Sequence, residues 1–191
     1  FIEHLYTTTM HNTLLIFTER GLCYWLKVYE IPEGGKNSRG RSLQNLIAID
    51  QADRVRAILN VKQLNDEEYA NSHYIVFCTR EGVVKKTKLA EYANVRSKGL
   101  IAIDIRESDQ LLDAVLTDGE SDIVLASRKG MAIRFPESDV RAVSRKSLGV
   151  NGMKIAEGDE LIGMVAVPKN TQQKLLVVSN DGFCKRSEVD E

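Results

Sequence analysis

Thr79-Arg80-Glu81-Gly82-Val83-Val84-Lys85-Lys86 is one of four copies of the same pattern in this chain, and its meaning governs everything around it. The other copies are Thr18-Glu19-Arg20-Gly21, Ser127-Arg128-Lys129-Gly130 and Ser179-Asn180-Asp181-Gly182. In each, a hydroxyl residue stands three positions before the glycine and an acid nine positions after it, at Glu30, Glu91, Asp139 and Glu191. Apolar runs precede the four turns, at 14–17, 74–77, 123–125 and 175–178. Runs carrying cations follow them: Lys27, then Lys85 and Lys86, then Arg134, then Lys185 and Arg186. A polar tetrad ending in glycine between two β-rich runs predicts a hairpin, because glycine takes positive φ without steric cost and the hydroxyl can bond the turn backbone.

The repetition continues beyond the hairpins. A second glycine stands 17 to 19 residues after each of the first three turn glycines, at Gly40, Gly99 and Gly149. Each lies in a basic loop: Lys36, Arg39 and Arg41; Arg96 and Lys98; Arg141, Arg145 and Lys146. Each loop leads into a predicted third strand, at 46–49, 100–103 or 150–155. An acidic turn follows (Asp50 with Asp53, residues 104–109, residues 157–160), and then a fourth strand at 55–61, 111–116 or 161–167. Four strands in roughly fifty residues predict a bladed, propeller-like repeat protein that is nearly all β. The expected division is a single domain over 1–191, with repeats at about 1–61, 74–116, 123–167 and 175–191. Residues 1–13 read as the fourth strand of a preceding repeat and residues 175–191 stop before a third strand, so the chain begins and ends inside repeats. The polar stretch 62–73 reads as a loop insertion.

With 191 residues and 43% hydrophobic content the chain can bury a sizeable core, and no apolar run reaches the length of a membrane span. No basic, cleavable leader opens it. Cys23, Cys78 and Cys184 fall in β patterns without CxxC spacing, which predicts reduced thiols filling apolar positions in a cytosolic setting. The formal net charge of −1 hides a segregation: cations collect in the glycine loops and acids in the turns before the fourth strand. Stacking repeats turns that pattern into a basic rim and an acidic face. Trp25, Tyr24 and Tyr29 read as packing between blades rather than as stacking platforms for bases.

Several chemistries are excluded. Gly35-Lys36-Asn37-Ser38-Arg39-Gly40-Arg41-Ser42 nearly spells a nucleotide-binding phosphate loop, but Arg41 stands where lysine belongs, a β-like run follows instead of a helix, and the parallel loops lack the pattern. His4, His11 and His73 are scattered without metal spacing, so no metal or other cofactor is expected. Glu30, Glu91, Asp139 and Glu191 recur once per repeat, as structural acids do. No catalytic constellation stands out, and neither nucleotide hydrolysis nor DNA cleavage is expected of this chain.

The run from Gly21 to Pro32 leading to Ser38-Arg39-Gly40-Arg41, then Gly82-Val83-Val84-Lys85-Lys86-Thr87, then Arg134-Phe135 with Val140-Arg141-Ala142, resembles the C-terminal β-pinwheel domain of bacterial DNA gyrase A over essentially the whole chain. That resemblance implies a noncatalytic domain that wraps double-stranded DNA around a basic perimeter, largely without regard to sequence, and supports negative supercoiling. It also implies partnership with the rest of gyrase A and with gyrase B, in the bacterial cytoplasm at the nucleoid. The DNA-binding positions it suggests are Lys36, Arg39, Arg41, Lys85, Lys86, Arg96, Lys98, Arg134, Arg141, Arg145, Lys146, Lys185 and Arg186. The glycine- and arginine-rich box that separates gyrase from topoisomerase IV is not in this chain, and about two of the family's six blades lie outside it, so the corresponding C-terminal domain of topoisomerase IV stays open as an alternative. A protein-interaction propeller that ignores DNA is the rival from another class.

Overall fold

The computed structural model describes residues 4–94 and 98–189. In chain order its strands are β1 (Thr13–Thr18), β2 (Leu22–Lys27), β3 (Val55–Val61), β4 (Tyr74–Thr79), β5 (Val83–Lys88), β6 (Leu100–Ile101), β7 (Leu111–Thr117), β8 (Asp122–Ser127), β9 (Ala132–Pro136), β10 (Val150–Asn151), β11 (Leu161–Val167), β12 (Lys174–Val178) and β13 (Cys184–Glu188), with one short helix, α1 (Glu67–Ser72). They form antiparallel sheets ordered β3-β1-β2-β6, β10-β5-β4-β7, β11-β8-β9 and β12-β13. The architecture is the bladed all-β one.

The four hairpin turns are built alike, as their sequences require. The glycine amide donates to the carbonyl of the hydroxyl residue in every copy: Gly21 to Thr18 (2.9 Å), Gly82 to Thr79 (3.1 Å), Gly130 to Ser127 (3.1 Å) and Gly182 to Ser179 (3.0 Å). The hydroxyl oxygen accepts from the amide just after the glycine, from Leu22, Val83, Met131 and Phe183 at 3.1 to 3.3 Å. All four glycines have φ between 78° and 86°, where an L side chain is strained.

Alternation along β1 and β4 explains why these runs are apolar throughout. Leu15 and Phe17 face one core and Leu14 and Ile16 another, while Ile75 and Phe77 join Phe17 and Val76 and Cys78 face Ile123 and Leu125 of the next blade. A strand buried on both faces needs no polar side. Phe17 and Phe77 meet edge to face with centroids 5.2 Å apart, and Tyr92 closes the cluster at 5.9 Å from Phe17. Trp25 packs partly buried against this core with the Lys27 ammonium 4.6 Å from its ring, a packing role.

The third strands are shorter than expected and pair elsewhere. Leu100 opposes Cys23 and Ile101 opposes Leu22, so β6, from the second repeat, completes the first blade; β10, from the third, likewise completes the second through Val150 with Val84 and Asn151 with Val83. The next residues leave the ladder because Ala102 and Ile103 donate to the Gly21 carbonyl, and Gly152 and Met153 to that of Gly82. The expected strand at 46–49 does not form: Leu43–Asn45 is a 3-10 turn in which the Leu43 carbonyl takes the amides of Leu46 and Ile47, and among the described residues no blade precedes the first to offer an edge. Residues 4–12 are likewise not a strand; Thr7, Thr8 and Asn12 are tied to the Asn60 side chain by hydrogen bonds instead. Phe1 to Glu3 lie outside the described residues. The 62–73 insertion is not all loop, since Asp66 accepts from the Tyr69 amide at 3.0 Å and starts α1, whose first turn carries Glu67 and Glu68.

Candidate nucleic-acid interface

The two swapped strands fix where their basic loops meet the sheets. Leu100 and Val150 pair with Cys23 and Val84, each two residues past its turn glycine, so the loops at Gly99 and 141–149 arrive at the same rung of consecutive blades. Glycine is needed at each of these points: a Cβ on Gly99 would lie 2.8 Å from the Tyr24 ring, and one on Gly149 2.3 Å from the Val84 carbonyl. Lys98, Arg141 and Lys146 are exposed there, with no ion pair among the described residues. Lys36, Arg39 and Arg41 are exposed on the first loop. Nothing seats that loop comparably, and a Cβ on Gly40 would meet open space. Arg96 lies outside the described residues, as does Glu191.

The strand cations are placed differently from the loop cations. Lys85 is 1% exposed. Its ammonium donates to the carbonyls of Ala102 (2.7 Å) and Arg145, and burial, helped by the Arg145 charge, lowers its pKa to about 8. Lys86, on the opposite face of β5, is also buried; it donates to the Glu137 carbonyl at 2.6 Å and lies over the Tyr74 ring, and burial lowers its pKa. Neither ammonium reaches the outer surface. Arg134 on β9 grips Asp122 through Nε (2.8 Å) and Nη2 (2.7 Å) and donates to the Val189 carbonyl. Lys185 and Arg186 on β13 are exposed. Arg145 is half-buried, donating from Nη1 to the Ile101 carbonyl (3.1 Å) with Nε 3.6 Å from Glu91.

The expected acidic face is mostly internal bracing. Asp53, Asp109 and Asp159 each accept from a turn amide of their own blade, those of Arg20 (3.3 Å), Glu81 (3.0 Å) and Lys129 (3.0 Å), and from the amide of the next residue at 2.8 to 2.9 Å. The Ser127 hydroxyl donates to Asp159, whose pKa is lowered by that bond first of all. Arginines share this face: Arg56 pairs with Glu19 at 2.8 Å, and Glu160 takes Arg128 at 2.9 Å and, across the blade boundary, Arg80 at 3.6 Å. It is therefore a mixed surface. Sequence reasoning also missed Glu137, fully buried, which accepts the Ser121 amide at 3.0 Å; its place just after Pro136 was the available signal.

The family described as "DNA gyrase C-terminal domain, beta-propeller" matches residues 12–62, 73–118, 121–168 and 173–191, four segments that follow the blades. The chain belongs to this family. The DNA gyrase A protein of Haloquadratum walsbyi is 38% identical over 99% of this chain, which spans 22% of that protein. Among solved structures, the C-terminal domain of DNA topoisomerase IV aligns with a TM-score of 0.81 at 30% identity, over 95% of this chain and 55% of that one. A DNA gyrase A C-terminal domain aligns with a TM-score of 0.75 at 27% identity, over 94% and 55%. The chain thus covers about a fifth of the length of its curated relative and corresponds to the noncatalytic C-terminal part of a type II topoisomerase.

Within this gyrase C-terminal domain the described residues include no group of three or more His, Cys, Asp or Glu side chains placed to hold a metal ion, and no helix long and apolar enough to cross a membrane. Cys23 and Cys78 are buried thiols whose pKa burial pushes up, as expected of core fillers. Cys184 departs from that expectation and is exposed, at the start of β13.

Proposed function

We propose that this domain binds duplex DNA through phosphates and bends it, with Lys98, Arg141 and Lys146 on the two equivalently seated loops as the central contacts, and Lys36, Arg39 and Arg41, Arg96, Lys185 and Arg186 extending the path. The observation that carries this reading is the recurrence of exposed cations at one rung of consecutive blades, in a chain whose net charge is −1. Cations at a fixed spacing suit a polyanion of regular charge, and no helix among the described residues is offered for reading bases. Buried Lys85 and Lys86, paired Arg134 and strapped Arg145 are left out of the contact set. In the whole enzyme, with the rest of gyrase A and with gyrase B, the bent segment is presented for strand passage and negative supercoiling, at the nucleoid in the cytoplasm. The gyrase reading is preferred to topoisomerase IV because the curated relatives are gyrase A proteins over the full chain. The unit is one domain with repeats near 1–61, 74–116, 123–167 and 175–191.

Fluorescence anisotropy with unrelated duplexes over a range of salt tests this. Comparable affinities that fall linearly with log salt, at a slope near 0.9 per phosphate contacted, are expected. No binding at low salt would replace the DNA reading with that of a protein-interaction propeller.

A further inference from the structure

Lys85 and Arg145 stand out because the sequence marks them as surface cations and the structure uses them internally. Lys85 carries three donors, and two are spent on main-chain carbonyls of different segments, Ala102 behind the swapped strand β6 and Arg145 in the basic loop of the following repeat. Tyr92 donates to the same Ala102 carbonyl at 2.9 Å. From the loop side, the Arg145 guanidinium returns to Ile101 of β6 and to Glu91 of the second repeat. The loop's backbone is fixed just upstream, where Val143 donates to the Lys86 carbonyl at 2.9 Å and Ala142 bridges to Lys86.

We infer that Lys85 and Arg145 form a staple that positions the basic loop 141–149 on the preceding blade, so that both govern DNA binding without touching DNA. The inference rests on the DNA-binding reading above. A buried ammonium is costly unless its donors are satisfied, and one of the two bonds that satisfy Lys85 falls on the Arg145 carbonyl, in the segment between exposed Arg141 and exposed Lys146. Released from the staple, those two side chains remain present but no longer stand where phosphates meet them, so their two contacts drop out of the bound state.

The test uses Arg145→Gln and Lys85→Met, each read in two ways at temperatures well below its melting midpoint. Limited trypsin digestion reports loop seating without DNA, through the rate of cleavage after Arg141 and Lys146. Anisotropy reports the salt slope. If Arg145 were itself a phosphate contact, Arg145→Gln would cut the slope by about 0.9 and leave cleavage unchanged, which would overturn the inference. The staple instead requires faster cleavage and a slope shallower by about 1.8, the contacts of Arg141 and Lys146 together. Lys85→Met is expected to do the same although it removes no exposed charge; a folded Lys85→Met with the parent's cleavage rate and slope would also overturn it. Should that variant not fold, Arg145→Gln, changed at a half-exposed side chain, decides alone. A parent that does not bind DNA defeats the functional reading, while the trypsin comparison still tests the seating.

Discussion

Among the described residues, Asp113 on β7 is the acid most disturbed by the fold. Burial raises its pKa to about 6, and the hydrogen bond from the Ala114 amide (2.8 Å) and the His4 charge offset only part of that. The folded chain therefore binds this proton more tightly than the unfolded one. Between the ordinary value near 3.8 and about 6 the native state holds more protons, so this group's contribution to stability falls as pH rises through that window and is constant above it. Asp113→Asn, whose amide oxygen can still accept from Ala114, is expected to be more stable than the parent at pH 7, by at most about 3 kcal/mol. That advantage should vanish as the pH approaches 4. Denaturant melts of both proteins at pH 4, 5, 6 and 7 check this, and a constant difference would show that Asp113 titrates normally. Such an acid is invisible in sequence, where Asp113 is merely a polar residue within a strand pattern.

At the scale of elements, the turn glycines test what docks the swapped strands. Gly82 and Gly130 have nearly the same φ, 86° and 85°, so replacing either with alanine carries the same backbone strain of roughly 1–2 kcal/mol. They differ in what lies beyond: a Cβ on Gly82 would sit 2.2 Å from the Met153 carbonyl, whereas one on Gly130 meets nothing within 4 Å. Gly82→Ala is therefore expected to cost a further ~1–3 kcal/mol for displacing the segment after β10, measurable as a larger drop in the denaturation midpoint. Equal losses would mean that the segment is not packed against the turn. The same contrast explains what was legible. Hairpins are local, so Thr79 and Gly82 announce theirs unaided, and the long fourth strands show their own apolar pattern. The third strands owe their existence to a partner in another repeat, and a two-residue pairing such as Leu100 with Cys23 leaves too short a trace in sequence to reveal which blade it joins. The candidate site divides in the same way. Loop cations announce themselves by glycine and charge, but nothing local separates Lys85, facing the carbonyls of Ala102 and Arg145, from a solvated lysine on a sheet edge.

For the whole molecule, the question is whether basic loops on successive blades act as one surface. Bending a duplex of twenty to thirty base pairs costs on the order of 1–6 kcal/mol, a load that one loop with two or three phosphate contacts cannot carry while also binding. Contacts spread over several blades share it, and each blade lost should release part of the curve. Neutralising Lys36, Arg39 and Arg41 together is expected to weaken affinity and shorten the salt slope by up to about 2.7. Neutralising Lys98, Arg141 and Lys146 as well should abolish bending, with little change in melting temperature, since exposed loop charges add little to stability. Energy transfer between dyes at the two ends of a short duplex reads the bend, and the melting curve reads the fold. A combined variant that still bends DNA would move the wrapping surface off this rung. The exposed Lys185 and Arg186 on β13 and the arginines Arg20, Arg80 and Arg128 at the hairpin turns would then be the next candidates to hold it.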